Sequence, residues 1–351
     1  MKDNLKLIFQ VSTVFIGTIV GAGLASGKEI TQFFTQYGIK SFIGIIGCGI
    51  LYIIIGSIIS KISIHHELNS YSDVINLISP NLIGKLTGFI TTLFLISSAS
   101  IILAGSGALI QQFFGIPKII GSLIMICISL FFLLRGTDGL IEVNSFIVPG
   151  LITTITIITI LYFSFSPDTV SMDNVLSFKP KRSGIFLSTL LYAGYNTLSA
   201  SGVIVPLSNQ IRKTRIMIIG IIAGVAGLTI LCSMINLLLT VNQPYIYNYE
   251  IPLLFVANRF GNIIQAILLI IIWLEMFSTE VSDVYSISKT LEQSFNVEFK
   301  KIIFVVIAVA FIISQFGFGN LITKLYPLFG LLSLLFISQC LLYYWKNKKH
   351  F

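Results

Sequence analysis

The sequence predicts an all-α polytopic membrane protein of ten transmembrane helices, arranged as a five-plus-five inverted repeat with discontinuous helices one and six. Three observations support this fold class. Of the 351 residues, 55% are hydrophobic and only 10% are charged, and the mean hydropathy is +0.94. Ten apolar runs follow one another, and the last five repeat the spacing of the first five. The first and sixth runs carry glycine or small polar residues where a helix interior is expected.

The composition argues against the soluble protein classes. A water-soluble chain of this length needs a larger charged fraction to cover its surface. The net charge of +8 does not indicate nucleic-acid binding, because the basic residues are scattered between apolar runs. The cysteines are too widely spaced for a zinc motif, and the histidines lie in a loop and a tail. We therefore expect no enzymatic activity, and no cofactor beyond a possible sodium ion. The residues are Cys48, Cys127, Cys232, Cys340, His65, His66 and His350.

The apolar runs have the length of membrane-spanning helices, since about 20 residues cross the hydrocarbon core. The long third run ends at Gly115–Pro117, which predicts a turn before the fourth. The short eighth run is expected to continue past Glu275 toward Lys289. The runs cover residues 7–27, 41–60, 86–117, 119–134, 143–167, 183–211, 216–249, 260–274, 302–323 and 325–345.

The distribution of lysine and arginine predicts a multi-pass protein of the cytoplasmic membrane with both termini inside the cell. In that orientation 14 of the 22 basic residues are cytoplasmic. The basic segment 179–182 before the sixth run weakens the bias, whereas the aromatic Tyr343–Trp345, followed at once by basic residues, agrees with it. The 14 residues are Lys2, Lys6, Lys61, Lys85, Arg135, Arg212, Lys213, Arg215, Lys289, Lys300, Lys301, Lys346, Lys348 and Lys349.

The starts of the runs predict an internal repeat. The first five runs begin at residues 7, 41, 86, 119 and 143, and the last five follow them at offsets of 174 to 183 residues. Because each half holds an odd number of helices, the second half (171–351) enters the membrane from the side opposite to the first (1–170). Such inverted repeats place a binding site near the bilayer midplane. The competing interpretation is that any ten-span protein divides roughly evenly.

Two of the runs are predicted to contain a broken helix. Four of the residues in Gly17–Gly27 are glycines, each weakening a helix by roughly 1 kcal/mol relative to alanine. Lipid cannot satisfy the backbone groups so freed, so this segment must face protein or a wet cavity. In the sixth run the matching place carries Tyr192–Thr197. The alternative is that the glycines serve helix packing alone, through their G-x-x-x-G spacing.

The segment Gly17–Ile30, GTIVGAGLASGKEI, runs into Gln32-Phe-Phe34 and resembles the opening of the bacterial YkvI-type membrane proteins. That family resembles distant members of the amino acid–polyamine–organocation superfamily, which have the leucine-transporter fold. The resemblance is strongest over roughly the first 40 residues. It implies the ten-helix architecture, and it implies that Ile251–Asn258 is the extracellular lid helix of that fold. It implies no particular substrate.

The resemblance also implies a cation site. By position, the site would lie between the backbone carbonyls of Gly17 and Val20 and the hydroxyls of Ser278 and Thr279 on the eighth span. Hard oxygen ligands of this kind suit sodium. Leu24 stands at the position of the second sodium site of the fold, which argues against a second ion. The alternative is that both hydroxyls bond backward to their own helix.

Three acidic residues are candidates for proton coupling, because an ionisable group within a span is costly and usually functional. Glu29 lies just beyond the break in the first helix, and Glu280 and Asp283 lie one turn apart on the eighth span. The alternatives are that the eighth-span acids occupy a hydrated cytoplasmic end, or that Glu29 pairs with Lys28 or another base. The sequence leaves sodium and proton coupling open.

A small zwitterion such as an amino acid fits the two predicted breaks, because half-helix N–H groups attract a carboxylate and freed carbonyls attract an ammonium. Tyr195 would act as a gate, and Ser97, with Ser98 and Ser100, would line the opposite wall. The sequence thus predicts a cation-coupled secondary transporter, with a solute receptor of the same fold as the alternative. The candidate substrate residues are Gly21, Ala22, Gly23, Leu24, Ala25, Ser26, Ser97, Ala193, Gly194, Tyr195 and Asn196.

Overall fold

The computed structural model describes residues 2–79, 82–135, 140–166, 168–295 and 297–348, and within them it is helical without strands. His350 and Lys349, which entered the sequence analysis, lie outside these ranges. Short 3₁₀ turns cover Thr35–Tyr37 and Tyr245–Asn248. The α-helices are α1 (Lys2–Ile19), α2 (Ala22–Ala25), α3 (Lys28–Phe33), α4 (Lys40–His65), α5 (Tyr71–Ile78), α6 (Leu82–Phe114), α7 (Lys118–Arg135), α8 (Leu140–Phe165), α9 (Met172–Ser177), α10 (Ile185–Ile211), α11 (Thr214–Val241), α12 (Pro252–Asn258), α13 (Asn262–Phe295), α14 (Phe299–Ser314) and α15 (Phe318–Lys346).

The helices have the length and composition of membrane spans. Among the described residues, six helices are long and apolar enough to cross a bilayer, and these lie in α4, α6, α8, α11, α13 and α15. Two shorter apolar helices are Asn4–Ile19 and Lys118–Leu134. Eight of the ten predicted apolar runs each overlap one long helix. The first run, 7–27, covers most of α1 and all of α2, and α3 begins directly after it. The predicted boundary between the last two runs is wrong, because α14 ends at Ser314 and α15 already begins at Phe318. A helical multi-pass architecture is therefore confirmed, whereas the crossing of all ten runs stays a prediction.

The first span is interrupted within its glycine-rich segment. α1 ends at Ile19, and α2 is a single turn that begins after the extended Gly21 (φ −107°, ψ −176°). A second interruption falls at Gly27, whose φ of +78° lies in the left-handed region. A Cβ at Gly27 would lie 2.8 Å from Cγ of Leu253, so this position requires glycine for both conformation and space. The predicted discontinuity of helix one is present.

The predicted discontinuity of helix six is wrong. α10 is continuous from Ile185 to Ile211. Two of the polar residues that suggested a break bond backward within the helix. The Asn196 side-chain amide donates to the Tyr192 carbonyl over 3.1 Å, and the Ser201 hydroxyl donates to the Leu198 carbonyl over 2.6 Å. Polar groups satisfied in this way are compatible with an uninterrupted helix in an apolar environment.

The glycine of that segment, Gly194, serves helix packing. A Cβ at Gly194 would lie 2.5 Å from the Ser333 hydroxyl and 2.9 Å from the Gly330 carbonyl of α15. Gly330 in turn lies against the backbone of Leu191. One glycine weakens a helix by only about 1 kcal/mol, and close contact between two buried helices offsets that cost.

The predicted lid segment is the short helix α12, and it lies over the interrupted first span. The Leu253 N–H donates to the Ser26 carbonyl over 3.0 Å. The Gln112 side chain, at the end of α6, holds the start of the lid at both polar atoms of Ile251. Its amide N–H donates to the Ile251 carbonyl (2.9 Å), and its carbonyl accepts from the Ile251 N–H (3.1 Å).

Two lysines fasten the segment that precedes α12. The ammonium of Lys28 donates to the Tyr249 carbonyl over 2.9 Å, and the ammonium of Lys118 pairs with the Glu250 carboxylate at 2.9 Å. Lys28 begins α3 and Lys118 begins α7. The lid, the second half of the broken span and the start of the fourth span are therefore joined at one end of the molecule.

Candidate functional site at the break of the first span

The end of α1 leaves backbone carbonyls without helical partners. The Val20 N–H donates to the Ile16 carbonyl (2.8 Å), and the Gly21 N–H donates to the Ile19 carbonyl (3.0 Å). Within the described part of the chain, no backbone N–H donates to the carbonyl of Gly17 or of Val20. These are the two carbonyls at which the resemblance implied a cation site.

The start of α2 leaves N–H groups in the same way. Those of Ala22, Gly23 and Leu24 have no backbone acceptor among the residues described. Ser26 stabilises the local backbone, since its hydroxyl donates to the Gly23 carbonyl (2.8 Å) and accepts from the Lys28 N–H (3.2 Å). Ser26 therefore fixes the second interruption. The whole segment Ala22–Ser26 is buried.

Glu29 lies directly beside the break. Its side chain is 3% exposed, and it crosses the space where a Cβ of Gly23 would stand. The Tyr195 hydroxyl donates to Oε2 of Glu29 over 2.7 Å. Among the described residues no lysine or arginine forms an ion pair with Glu29, and the neighbouring Lys28 is directed to the Tyr249 carbonyl. The pairing of Glu29 with Lys28, considered from the sequence, is thus wrong.

Five aromatic rings from α3, α10, α15 and the end of the broken span pack together around Tyr192 and Tyr195, the tyrosines next to Glu29. Tyr195 stacks on Tyr326 with ring centroids 4.6 Å apart, and Tyr192 lies 5.5 Å from Tyr195. The two phenylalanines pack on Tyr192 at 5.3 and 4.9 Å. We call this set the aromatic cluster: Phe33, Phe34, Tyr192, Tyr195 and Tyr326. Of its members, the sequence analysis had proposed only Tyr195 as a site residue.

The eighth-span acids lie in the protein interior. Glu280 is fully buried, and neither of its carboxylate oxygens has a hydrogen-bond partner within the described structure. Asp283 is partly buried, and Ser98 lies within hydrogen-bonding reach of it. Tyr326 lies within electrostatic range of both Glu29 and Asp283. A hydrated location for Glu280 is therefore contradicted, and Tyr326 is the member of the aromatic cluster that lies near both Glu29 and Asp283.

The hydroxyls proposed for the cation site belong to the two residues of α13 that directly precede Glu280. Ser278 is 2% exposed, and the Thr279 hydroxyl donates to the Glu275 carbonyl over 2.9 Å. The backward bond of Thr279 uses its hydrogen and leaves oxygen lone pairs for a further partner. α2 packs against α13, which brings the break of the first span to this helix.

The remaining candidates make little contact with the break. Ser97 is partly buried on α6, and its neighbour Ser100 bonds backward to the Ile96 carbonyl over 2.7 Å. Ala193 is buried within α10. Of the four candidates on the sixth span, only Tyr195 makes a hydrogen bond to the first span within the described residues.

A very small cavity of about 10 Å³ adjoins the aromatic cluster between α4, α10 and α11, with room for about one water molecule. The hydroxyls of Tyr52 and Tyr192 are buried there, with Tyr52 within hydrogen-bonding reach of Asn196 and Tyr192 within reach of Glu29. The sequence analysis missed Tyr52, because a single tyrosine in an apolar span carries no pattern. The cavity is lined by Phe34, Ile45, Cys48, Gly49, Tyr52, Tyr192, Leu228, Thr229 and Cys232.

Comparison with known proteins identifies a full-length relative. No protein-family model matches the chain. The chain is 33% identical over 341 residues to the membrane protein YkvI of Bacillus subtilis (strain 168), and the match covers 97% of each chain. The protein YyaD of the same organism is 23% identical over 336 residues, covering 94% of this chain and 95% of that one.

Solved structures share the fold at low sequence identity. Mhp1 in its inward-facing conformation has a TM-score of 0.70 and 13% identity, covering 93% of this chain and 73% of that chain. A mutant of the Eremococcus coleocola manganese transporter has a TM-score of 0.69 and 13% identity, covering 97% and 79%. A Na⁺-coupled sialic acid symporter has a TM-score of 0.63 and 15% identity, covering 93% and 75%. No group of three His, Cys, Asp or Glu side chains able to hold a metal ion occurs in the described ranges.

Proposed function

Because the chain belongs to the family of the membrane protein YkvI and shares its fold with transporters, we propose that it is a secondary active transporter of a small polar solute such as an amino acid. One observation carries the proposal. The first span breaks in the protein interior, and within the described residues it leaves backbone carbonyls and N–H groups without a backbone partner near the buried carboxylate of Glu29. Lipid offers no partner for such groups, so they are tolerated where they bind something or line a cavity.

The ten-span inverted repeat is part of the proposal, with halves 1–170 and 171–351. Helix pairing supports it. α1 packs on α11 as α10 packs on α4, α6 packs on α15 as α13 packs on α8, and α4 packs on α15 as α11 packs on α8. In each of these three comparisons, replacing both helices of one pair by their counterparts in the other half of the chain gives the other pair. This pattern is the one that a pseudo-twofold axis produces, and transporters with such an axis have their binding site near the bilayer midplane.

Coupling to a cation follows from the oxygen atoms and acids at the break. The carbonyls of Gly17 and Val20 and the hydroxyls of Ser278 and Thr279 are a donor set suited to sodium. Buried acids are the alternative carriers, in the form of protons, because ionisable groups within a span are seldom retained without a function. The candidates are Glu29, Glu280 and Asp283.

The test begins with binding and ends with flux. Detergent-purified protein is screened by thermal shift against amino acids, amines and nucleobases, with and without sodium and at two pH values, since a ligand that binds the folded state raises Tm. A hit is then offered to proteoliposomes under an imposed sodium or pH gradient. Saturable uptake that collapses without the gradient is expected. Flux that ignores both gradients contradicts coupling, and binding without any flux points to a receptor.

A further inference from the structure

The last turns of α4 and α15 meet at the end of the molecule near the carboxy terminus. The ammonium of Lys61 donates to the Tyr344 hydroxyl over 3.0 Å and lies 5.3 Å from the centre of that ring. Just beyond α4, Nε2 of His66 lies 3.0 Å from the Tyr343 hydroxyl. The two helix ends therefore form one continuous surface of basic and aromatic side chains.

This surface carries three lysines without a described counter-charge. Lys346 and Lys348 are exposed. The Asn347 N–H donates to the Tyr343 carbonyl over 3.1 Å, so the last turn of α15 continues to the residue before Lys348. Within the described ranges, no carboxylate forms an ion pair with Lys61, Lys346 or Lys348. We call these three residues the lysine cluster.

The acidic residues of the segment that follows α4 are engaged elsewhere. The Glu67 carboxylate pairs with Arg212 at 3.4 Å. The Asp73 carboxylate accepts from the N–H groups of Asn69 and Ser70 (3.0 and 2.9 Å), where it completes the capping box at the start of α5. The positive charge of the lysine cluster is therefore available to a partner from outside the chain.

The side chains next to the lysine cluster indicate the depth at which it lies. Tryptophan and tyrosine are enriched where the hydrocarbon core meets the lipid headgroups. Trp345 is 81% exposed, and Leu342, one turn before it, is 61% exposed. These apolar surfaces suit the acyl chains of a lipid. The lysines that follow at once lie at the level of the lipid phosphates, and the long side chain of Lys61 can reach that level from within α4.

We propose that the ends of α4 and α15 bind an anionic phospholipid, whose phosphate is held by the lysine cluster and whose acyl chain lies along Leu342 and Trp345. Basic residues next to a membrane span attract anionic lipids, and each contributes about fivefold in affinity. The bound headgroup would connect the last turn of α4 to that of α15. This proposal does not depend on the transport function.

Two other partners fit the same surface less well. A zwitterionic headgroup brings no net charge to balance the lysine cluster. A soluble phosphate would balance it, but it would leave the exposed surfaces of Leu342 and Trp345 without a role. An anionic phospholipid uses the charges and the apolar surface together.

The experiment uses Trp345 as its reporter. The chain has two tryptophans, and Trp273→Phe removes the other while keeping an aromatic ring against Phe277. This full-length protein is reconstituted in phosphatidylcholine vesicles that contain a rising share of either brominated phosphatidylglycerol or brominated phosphatidylcholine, whose bromine atoms quench a nearby tryptophan. We expect phosphatidylglycerol to bind beside Trp345 at least about tenfold more strongly than phosphatidylcholine. Added salt should reduce this selectivity, because it screens the exposed charges.

The variants test whether the lysine cluster is responsible. Lys346→Gln and Lys348→Gln change exposed side chains and should leave folding intact, and each should lower the selectivity about 3- to 5-fold. Adding Lys61→Gln to both should bring it close to that of phosphatidylcholine. The matched control removes three exposed basic residues that the charge rule places on the same side of the membrane, and it should keep the full selectivity. Its substitutions are Lys213→Gln, Arg215→Gln and Lys300→Gln.

Three outcomes would overturn the proposal. Equal quenching by the two brominated lipids would show that no anionic lipid is selected. An equal loss in the control variant would show that the selectivity belongs to the whole basic side of the protein. Displacement of brominated phosphatidylglycerol by added glycerol phosphate would assign the lysine cluster to a soluble phosphate. Since quenching is measured at equilibrium, none of these outcomes depends on whether the protein transports a solute.

Discussion

At the scale of single residues, the two glycines that flank the start of α2 have different surroundings. Nothing lies within 4 Å of a Cβ built on Gly21, whereas a Cβ on Gly23 would collide with the side chain of Glu29. Gly23→Ala should therefore displace Glu29 from the Tyr195 hydroxyl. A hydrogen bond to a charged group contributes about 1.5–3 kcal/mol, so we expect a loss of roughly 10- to 100-fold in uptake by proteoliposomes.

Gly21→Ala is the matched control. The backbone of Gly21 has φ of −107°, which any residue adopts, and space is available for the methyl group. Uptake should stay close to that of the unmodified protein. If both variants transport normally, the glycines serve only to pack the helix, and the proposed role of Glu29 loses its support.

Substitution of single side chains also distinguishes sodium coupling from proton coupling. If sodium is coupled, Thr279→Val should raise the sodium concentration needed for half-maximal uptake by about tenfold, because a ligand oxygen is removed, and Asp283→Asn should have a smaller effect. If protons are coupled, Asp283→Asn should abolish the response to a pH gradient and Thr279→Val should not. Thr290→Val is the control, since Thr290 bonds backward to the Ser286 carbonyl as Thr279 does to that of Glu275.

Some of these residues were visible in the sequence and others were not. The glycines around Glu29 stand out because a helix interior disfavours them. Tyr52 and Tyr326 lie on spans that are apolar on every side, so hydrophobic periodicity does not report which face meets the first span. Their positions beside Glu29 follow from the packing of distant helices, which local sequence does not determine.

At the scale of elements, the turn between α2 and α3 depends on a left-handed glycine. Gly27 and Gly184 both precede a helix with positive φ, of +78° and +89°. Alanine in this conformation costs about 1–2 kcal/mol. Gly27→Ala also forces a methyl group against Leu253, whereas nothing lies within 4 Å at Gly184. We therefore expect a larger fall in Tm for Gly27→Ala than for Gly184→Ala; equal falls would mean that the contact between the turn and the lid is not formed.

The lid helix is held by one side chain whose neighbour provides a control. Gln112 makes two hydrogen bonds to Ile251, whereas Gln111 is exposed. Gln112→Leu removes about 1–3 kcal/mol of hydrogen bonding, so amide exchange in the lid, residues 251–258, should accelerate on the order of tenfold. Gln111→Leu should leave exchange there unchanged. Similar exchange in the two variants would show that α12 is held by its apolar contacts instead.

The sixth span shows where element-scale reasoning from sequence fails. A glycine near tyrosine, asparagine and serine was interpreted as a break by analogy with the first run. In the structure Asn196 and Ser201 instead bond to preceding carbonyls, Tyr195 bonds to Glu29, and Gly194 allows α15 to approach. Composition alone does not distinguish a helix that is interrupted at a binding site from a continuous helix whose small residues allow a neighbouring helix to pack closely.

At the scale of the whole molecule, hydrogen bonds and ion pairs between loops and helix termini define two opposite ends of the helical bundle. Lys61 donates to the Tyr344 hydroxyl (3.0 Å), and Arg212 pairs with Glu67 (3.4 Å), which gathers the ends of α4, α10 and α15. The spacing of apolar runs predicted the helix order well, because each run must be long enough to span the bilayer. The depth of the site was not predictable, since it depends on how the helices cross.

The basic segment before α10 lies at the other end of the molecule. The N–H groups of Lys181 and Arg182 donate to the Gln36 carbonyl (2.8 and 3.2 Å), and the ammonium of Lys181 lies 3.5 Å from the Tyr247 ring centre. These contacts tie the segment to the lid end of the broken first span. In the predicted orientation its three basic residues lie on the side of the membrane opposite to most lysines and arginines. They are an exception to the positive-inside rule, and their contacts with Gln36 and Tyr247 account for it.

The last prediction concerns the number of crossings between the two ends. In a variant whose four cysteines are replaced by alanine, Asn4→Cys and Ser183→Cys are introduced separately; both positions are exposed. An odd number of spans between them puts them on opposite sides of the membrane, and the basic residues put Asn4 inside. A membrane-impermeant maleimide should label Ser183→Cys in intact cells and Asn4→Cys in inverted vesicles. The opposite pattern would reverse the orientation, whereas labelling of both from one side would require an even number of spans and would exclude an inverted five-helix repeat.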